Sequence, residues 1–127
     1  MTQIVVIEDD STMLLNLIEV LEYEKYAPVG ARSGLEGLDL IRANSPALVL
    51  CDVMLPDIDG FQVVRALRAN PATAHIPVIF ISARAGRANA EQGLESGIAG
   101  YIMKPFDVGE LLDTIRRVLD DSQHGAE

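Results

Sequence analysis

Ala47-Leu48-Val49-Leu50-Cys51 is an unbroken apolar run that ends in Asp52, and Val53-Met54-Leu55-Pro56 follows it. A short apolar run without polar alternation, closed by a proline-containing loop, reads as a strand buried on both faces. It carries one carboxylate to the point where the chain leaves the sheet. Ile4-Val5-Val6-Ile7 runs the same way into Glu8-Asp9-Asp10, and Val78-Ile79-Phe80-Ile81 runs into Ser82. If these strands lie parallel, the acids, Asp52 and Ser82 share one edge of the sheet. That edge is where open α/β sheets bind ligands.

Helical segments separate the strands. Residues 11–25 carry Leu14, Leu17, Ile18 and Leu21 at helical spacing, with Asp10 or Ser11 as the N-cap. Tyr26–Ala31 reads as a short strand whose Pro28 cannot donate to a ladder, which predicts a sheet edge. Ser33 opens a helix to about Ala43 with Leu35, Leu38 and Ile41 inward, and Pro46 marks its end. Pro56–Gly60 is a loop, and Phe61, Val64 and Leu67 line a third helix that stops near Asn70-Pro71. A fourth helix over 86–97 is weak, because Gly93 in its interior costs roughly 1 kcal/mol relative to alanine. Gly97 is its expected C-terminal cap. Tyr101-Ile102-Met103 forms a fifth strand, and the last helix turns Val108, Leu111, Leu112 and Ile115 inward. Strand and helix thus alternate five times, which predicts a single doubly wound (βα)5 domain with a five-stranded parallel sheet and right-handed crossovers. Residues 1–120 are assigned to it, and 121–127 to a flexible tail or the start of a linker.

Charge limits the function. The chain of 127 residues has a formal net charge of -9, from 19 acids against 10 Lys and Arg, so this domain is not expected to bind nucleic acid directly. The acidity suits a cation site or basic partners. Cys51 is the only cysteine and sits within a strand pattern, so it reads as core, and a reducing, cytoplasmic setting is expected. Apolar runs are too short to cross a membrane, and no charged-then-apolar leader precedes the first strand.

Four features at four strand ends occur in order: the acids Glu8-Asp9, Asp52, Ser82, and Lys104-Pro105. With Asp52–Gly60 and Gly100–Phe106 around them, residues 3 to about 120 resemble a response-regulator receiver domain of two-component signalling. The resemblance implies a flavodoxin-like sheet of order 2-1-3-4-5, which agrees with Pro28 on an edge. It implies that Asp52 is the phosphoacceptor, taking a phosphoryl group from a histidine kinase or a histidine phosphotransfer protein. Asp9 and Asp52 would bind Mg²⁺ directly, Glu8 through water and Met54 through its backbone carbonyl. Clustered carboxylates repel unless a divalent cation neutralises them, and hard oxygen ligands suit Mg²⁺, with Mn²⁺ able to substitute. Lys104 would place a point charge on the phosphoryl oxygens, and Ser82 a hydroxyl. Ser82 and Tyr101 would form the switch, remodelling the face of the fourth helix, fifth strand and fifth helix for a downstream partner. Such a domain is a signalling phosphoacceptor that catalyses its own phosphorylation and dephosphorylation, not a conventional enzyme.

The pattern departs from one branch of that family. Many dimerising receivers carry two acids just before the tyrosine, where this chain has Ala99 and Gly100, so a monomer is expected before phosphorylation. Two other readings compete. Asp57-Ile58-Asp59-Gly60 spells the D-x-D-G of haloacid-dehalogenase-type phosphatases, but Leu55-Pro56 rather than an apolar strand precedes it, and there is no room for a cap. A non-phosphorylated pseudo-receiver would lack key residues, and this chain has them all. A flavin-binding relative would need a phosphate cradle after the first strand, where three acids would repel it.

Overall fold

A computed structural model of the protein describes residues 1–83 and 97–124. Its elements are β1 (Gln3–Ile7), α1 (Ser11–Tyr23), β2 (Ala27–Ala31), α2 (Gly34–Asn44), β3 (Leu48–Asp52), α3 (Gly60–Ala69), β4 (Val78–Ser82), β5 (Gly100–Met103) and a C-terminal helix (Val108–His124). All strand pairs are parallel, in the order β2-β1-β3-β4-β5. The sheet order expected from the sequence is therefore observed, with Pro28 on the edge strand opposite Ile4. The expected fourth helix over 86–97 falls almost wholly outside the described residues. Gly97 itself has φ +86°, the left-handed conformation of a helix-ending glycine.

Period-two alternation splits the apolar strands between two cores. Val5, Ile7, Val49, Cys51, Val78 and Phe80 face α2 and α3, where Ile41, Val64 and Leu67 meet them. Ile4, Val6, Leu50, Ile79, Ile81 and Ile102 face α1 and the C-terminal helix, against Leu17, Leu21, Leu111 and Ile115. Each fully buried side chain of this size stabilises by roughly 1.5–3 kcal/mol, so sheet and helices are held face to face without staples.

Asp10 caps α1, accepting from Met13 N at 3.0 Å, and Ser33 caps α2, accepting from Glu36 N at 3.2 Å. Arg68 holds the α3–β4 connection: its guanidinium donates to the carbonyls of Ala74, Ile76 and Gly97 at 3.0, 2.8 and 3.1 Å. Two inward assignments are corrected. Leu35 is 55% exposed, because α2 buries Gly34, Gly37, Leu38 and Ile41 instead, and position 35 lies off that stripe. Val108 is 44% exposed because it starts its helix ahead of the buried Leu111, Leu112, Ile115 and Val118. That helix also reaches His124, so it includes Asp121–His124, which the sequence assigns to a tail.

Candidate functional site

The parallel sheet brings the C-terminal ends of β1, β3, β4 and β5 to one edge. At the end of β1, Glu8 continues the edge by donating its backbone N–H to Ala31 O at 2.9 Å, and its side chain is only 2% exposed. At the end of β3, Asp52 is 7% exposed. Lys104 follows β5 through a backbone bond to Ser82 O at 2.8 Å and precedes a cis peptide bond to Pro105. Its ammonium donates to Asp52 Oδ2 at 3.0 Å and to Glu8 Oε1. Carboxylate oxygens of Glu8, Asp9 and Asp52 lie within 4.8 Å of one another. Residues from three separate stretches of sequence thus converge on one point.

The balance of charge there is unfavourable for the protein alone. Three carboxylates meet one ammonium. Burial, and then the neighbouring Asp52 carboxylate, push Glu8 up to about 7, and Lys104 only partly opposes them. Burial works against the Lys104 charge, but its bonds to Glu8 and Asp52 outweigh it and the ammonium is held above its ordinary range. Glu8 Oε2 is buried without a hydrogen-bond partner. An orphaned carboxylate oxygen in an oxygen-rich, negatively charged cluster is what a hard divalent cation satisfies, so the residues present fit one.

The loop over residues 53–59 shapes the rest of the site. Met54 N donates to Asp52 Oδ1 at 3.0 Å, which fixes the carboxylate against the chain that follows it. Gly60 N returns to Val53 O at 2.9 Å, and a reciprocal Asp59–Gln62 capping box starts α3. A Cβ on Gly60 would stand 2.9 Å from Asp52 O and 3.0 Å from Val53 Cα, so only glycine lets α3 begin this close to the acid. Asp57 turns away from the carboxylate cluster and accepts from Gly34 N and Leu35 N, both at 2.9 Å, and from Ile58 N at 2.8 Å. Those bonds, led by that from Leu35, hold its carboxyl down at about 2.

Glu8, Asp9, Asp52 and Lys104 therefore meet, as the strand ends predict. Ser82 is fully buried at the end of β4, beside Asp52 in the next strand. Tyr101 stands in β5 opposite Phe80, half-buried, with ring centroids 6.4 Å apart at 81°. Met54 contributes its backbone, and its side chain is 52% exposed. Cys51 is buried, which pushes its thiol well above the ordinary range, and it belongs to the core as expected. Sequence reasoning passed over Asp57 and Arg32, the latter donating to Asp9 O at 3.3 Å. An acid after a proline in a loop carries no local sign that it caps a helix 22 residues earlier.

Comparison with known proteins matches this geometry. The family model for the response regulator receiver domain fits residues 4–116. The chain is 36% identical over 123 residues to the polar-differentiation response regulator DivK of Brucella ovis, covering 96% of this chain and 100% of that protein. A receiver domain protein (CheY-like) from Methanospirillum hungatei superposes with a TM-score of 0.89 at 29% identity, covering 98% of each chain. The non-phosphorylated HemR receiver domain from Leptospira biflexa superposes with a TM-score of 0.85 at 34% identity, over 94% of each chain.

Proposed function

Since the chain belongs to the response-regulator receiver family, and so to two-component signalling, we propose that Asp52 is its phosphoacceptor. One observation carries the reading. Asp52 ends the central strand with Oδ2 3.0 Å from Lys104 Nζ, in a cluster whose carboxylate oxygens lie within 4.8 Å of one another. The reaction is nucleophilic. An Asp52 carboxylate oxygen attacks the phosphorus of a partner's phosphohistidine, an O–P bond forms, the P–N bond breaks, and the imidazole leaves with a proton. Water later attacks the acyl phosphate, returning the carboxylate and inorganic phosphate.

Asp9 and Asp52 would hold Mg²⁺ directly, Glu8 through water and Met54 through its carbonyl; Mn²⁺ has the same ligand preference. When bound, the cation supplies charge neutralisation at the phosphoryl oxygens. Lys104 offers a fixed positive charge beside the reacting oxygen, and Ser82 a hydroxyl from the adjoining strand. Met54 N–H orients the carboxylate through Oδ1. In this reading the domain catalyses both its own phosphorylation and its own dephosphorylation.

Phosphorylation draws Ser82 toward Asp52, lets Tyr101 turn inward, and reshapes the face that carries β5 and the C-terminal helix. Ala99 and Gly100 leave that face without an acid pair, so the unphosphorylated protein is a monomer and the face binds a downstream partner. The kinase or phosphotransfer protein meets the domain at the Asp52 edge. A net charge of -9 argues against direct binding to nucleic acid. No helix among the described residues is long and apolar enough to cross a membrane, and we assign the protein to the cytoplasm. Residues 1–120 are the receiver, and its C-terminal helix carries on to His124.

The phosphatase reading is not favoured. Both acids of its motif are engaged elsewhere, Asp57 with the start of α2 and Asp59 with the start of α3. The test is intact-mass spectrometry after incubation with acetyl phosphate and Mg²⁺. One phosphoryl should add to the wild type and none to Asp52→Asn.

A further inference from the structure

The first turn of α2 already has its own cap in Ser33, whose Oγ accepts from Glu36 N. Asp57 adds a second set of acceptors to the same turn from a distant stretch of chain. One carboxylate oxygen takes Gly34 N and Ile58 N, and the other takes Leu35 N. All three partners are N–H donors, which suits an ionised carboxylate, an acceptor only; an amide would turn an NH₂ toward one of them. The positive end of α2 favours the negative charge as well. Packing seals the same joint. A Cβ on Gly34 would come within 2.4 Å of Ile58 Cγ1, so Ile58 lies directly against the helix start.

This joint lies between the two acid-bearing loops. Just before α2, Arg32 donates to Asp9 O at 3.3 Å. Asp57 lies in the stretch that starts with Met54, whose N–H orients Asp52. The loop is fixed at its start by Met54 N and at its end by Gly60 N and the capping box. Among the described residues, its middle is tied to another element through Asp57 and Ile58.

We propose that Asp57 is a positioning residue: by clasping the first amides of α2 it fixes the segment after Asp52, and so the Met54 backbone, where the phosphorylation site needs it. The proposal rests on the phosphoacceptor reading for its purpose, but the clasp acts on metal-free protein too. A general cap and a site-positioning clasp differ in what their loss disturbs.

The experiment compares Asp57→Ala, Asp57→Asn and Leu35→Pro with Ser33→Ala, well below their melting temperatures. Leu35→Pro removes one donor from the helix side without altering the loop, and a proline is tolerated in a first turn. Ser33→Ala weakens the same helix end without touching the clasp. Two quantities are read: hydrogen exchange of the Met54 amide in metal-free protein, and Mg²⁺ affinity by calorimetry. Each clasp variant should speed Met54 exchange and weaken Mg²⁺ binding by about tenfold, as loss of outer partners does at metal sites. Ser33→Ala should lower the melting temperature yet leave both readouts within about twofold. Unchanged Met54 exchange in the clasp variants would overturn the proposal, and so would Ser33→Ala moving both readouts as far as they do. Wild-type protein that binds no Mg²⁺ would instead count against the phosphoacceptor reading, and the exchange comparison would still decide whether the clasp exists.

Discussion

Lys104 Nζ lies 3.0 Å from Asp52 Oδ2 and also donates to Glu8 Oε1, so one ammonium serves two carboxylates from two different strands. Lys104 thereby joins the ends of β1, β3 and β5 across the site. Both carboxylates are buried, and Glu8 keeps one oxygen without a partner even so. The site is a place where the fold tolerates excess negative charge.

Replacing Lys104 by Met keeps the aliphatic volume and removes the charge. Both carboxylates then lose their donor, and metal-free protein should lose about 1–3 kcal/mol of stability. Saturating Mg²⁺ should restore a larger share of stability to the variant than it adds to wild type, because binding to the native state alone stabilises it. Urea denaturation with and without the cation measures both quantities. An unchanged midpoint in Lys104→Met would show that the pair contributes nothing.

Gly60→Ala tests the close start of α3. Alanine gains about 1 kcal/mol of helix propensity over glycine, but its Cβ would meet Asp52 O at 2.9 Å and Val53 Cα at 3.0 Å. These are backbone atoms, so Asp52 itself must shift. Overpacking of this kind costs about 1–3 kcal/mol. The variant should be less stable than wild type and acquire phosphoryl more slowly from acetyl phosphate. A gain in stability with an unchanged rate would show that the loop yields freely.

Asp57 gives a pH dependence with a definite sign. Its folded-state carboxyl is lowered from 3.8 to about 2, so its contribution is fully present above the unfolded value. It is lost as pH falls through the range between those two values. The melting temperature of wild type should exceed that of Asp57→Asn at pH 7, and the gap should narrow as pH falls from about 4 to about 2. Thermal scans across that range check it. A gap that widens on acidification has the wrong sign for a carboxylate held by amide donors.

The fold was legible because each buried strand is an uninterrupted apolar run and each ends in a chemically distinct residue. Glu8, Asp52, Ser82 and Lys104 needed only the parallel order of the strands to be brought to one edge. What was not legible depends on contacts between distant segments. Leu35 reads as inward by spacing, yet Gly34 and Gly37 take the buried side of α2. Val108 has helical spacing with Leu111 and Leu112 but begins its helix in solvent. Asp57 reads as a turn residue, and its partners are amides that belong to another helix. Nothing in the sequence around Arg68 signals that carbonyls of Ala74, Ile76 and Gly97 take up its guanidinium.

The proposed switch predicts where phosphorylation is felt. Tyr101 packs edge-on against Phe80, which packs edge-on against Phe61 at 5.2 Å, so turning Tyr101 inward must disturb that stack. With the phosphoryl mimic beryllofluoride and Mg²⁺, amide exchange should change in β5 and at the start of the C-terminal helix. The solution mass should remain that of a monomer or of a weak dimer insensitive to salt. Changes confined to α1 and α2 would contradict the output face, and a tight dimer that salt dissociates would contradict the role given to Ala99 and Gly100.

The central claim is that Asp52 itself carries the phosphoryl group. An acyl phosphate is reduced by borohydride to the alcohol, which converts a phosphorylated aspartate to homoserine and marks its position permanently. Wild-type protein treated with acetyl phosphate and Mg²⁺, reduced and then digested, should show homoserine at position 52 alone. The mark should vanish when Mg²⁺ is chelated beforehand. Homoserine at position 9, 57 or 59 with position 52 unmodified would contradict the account.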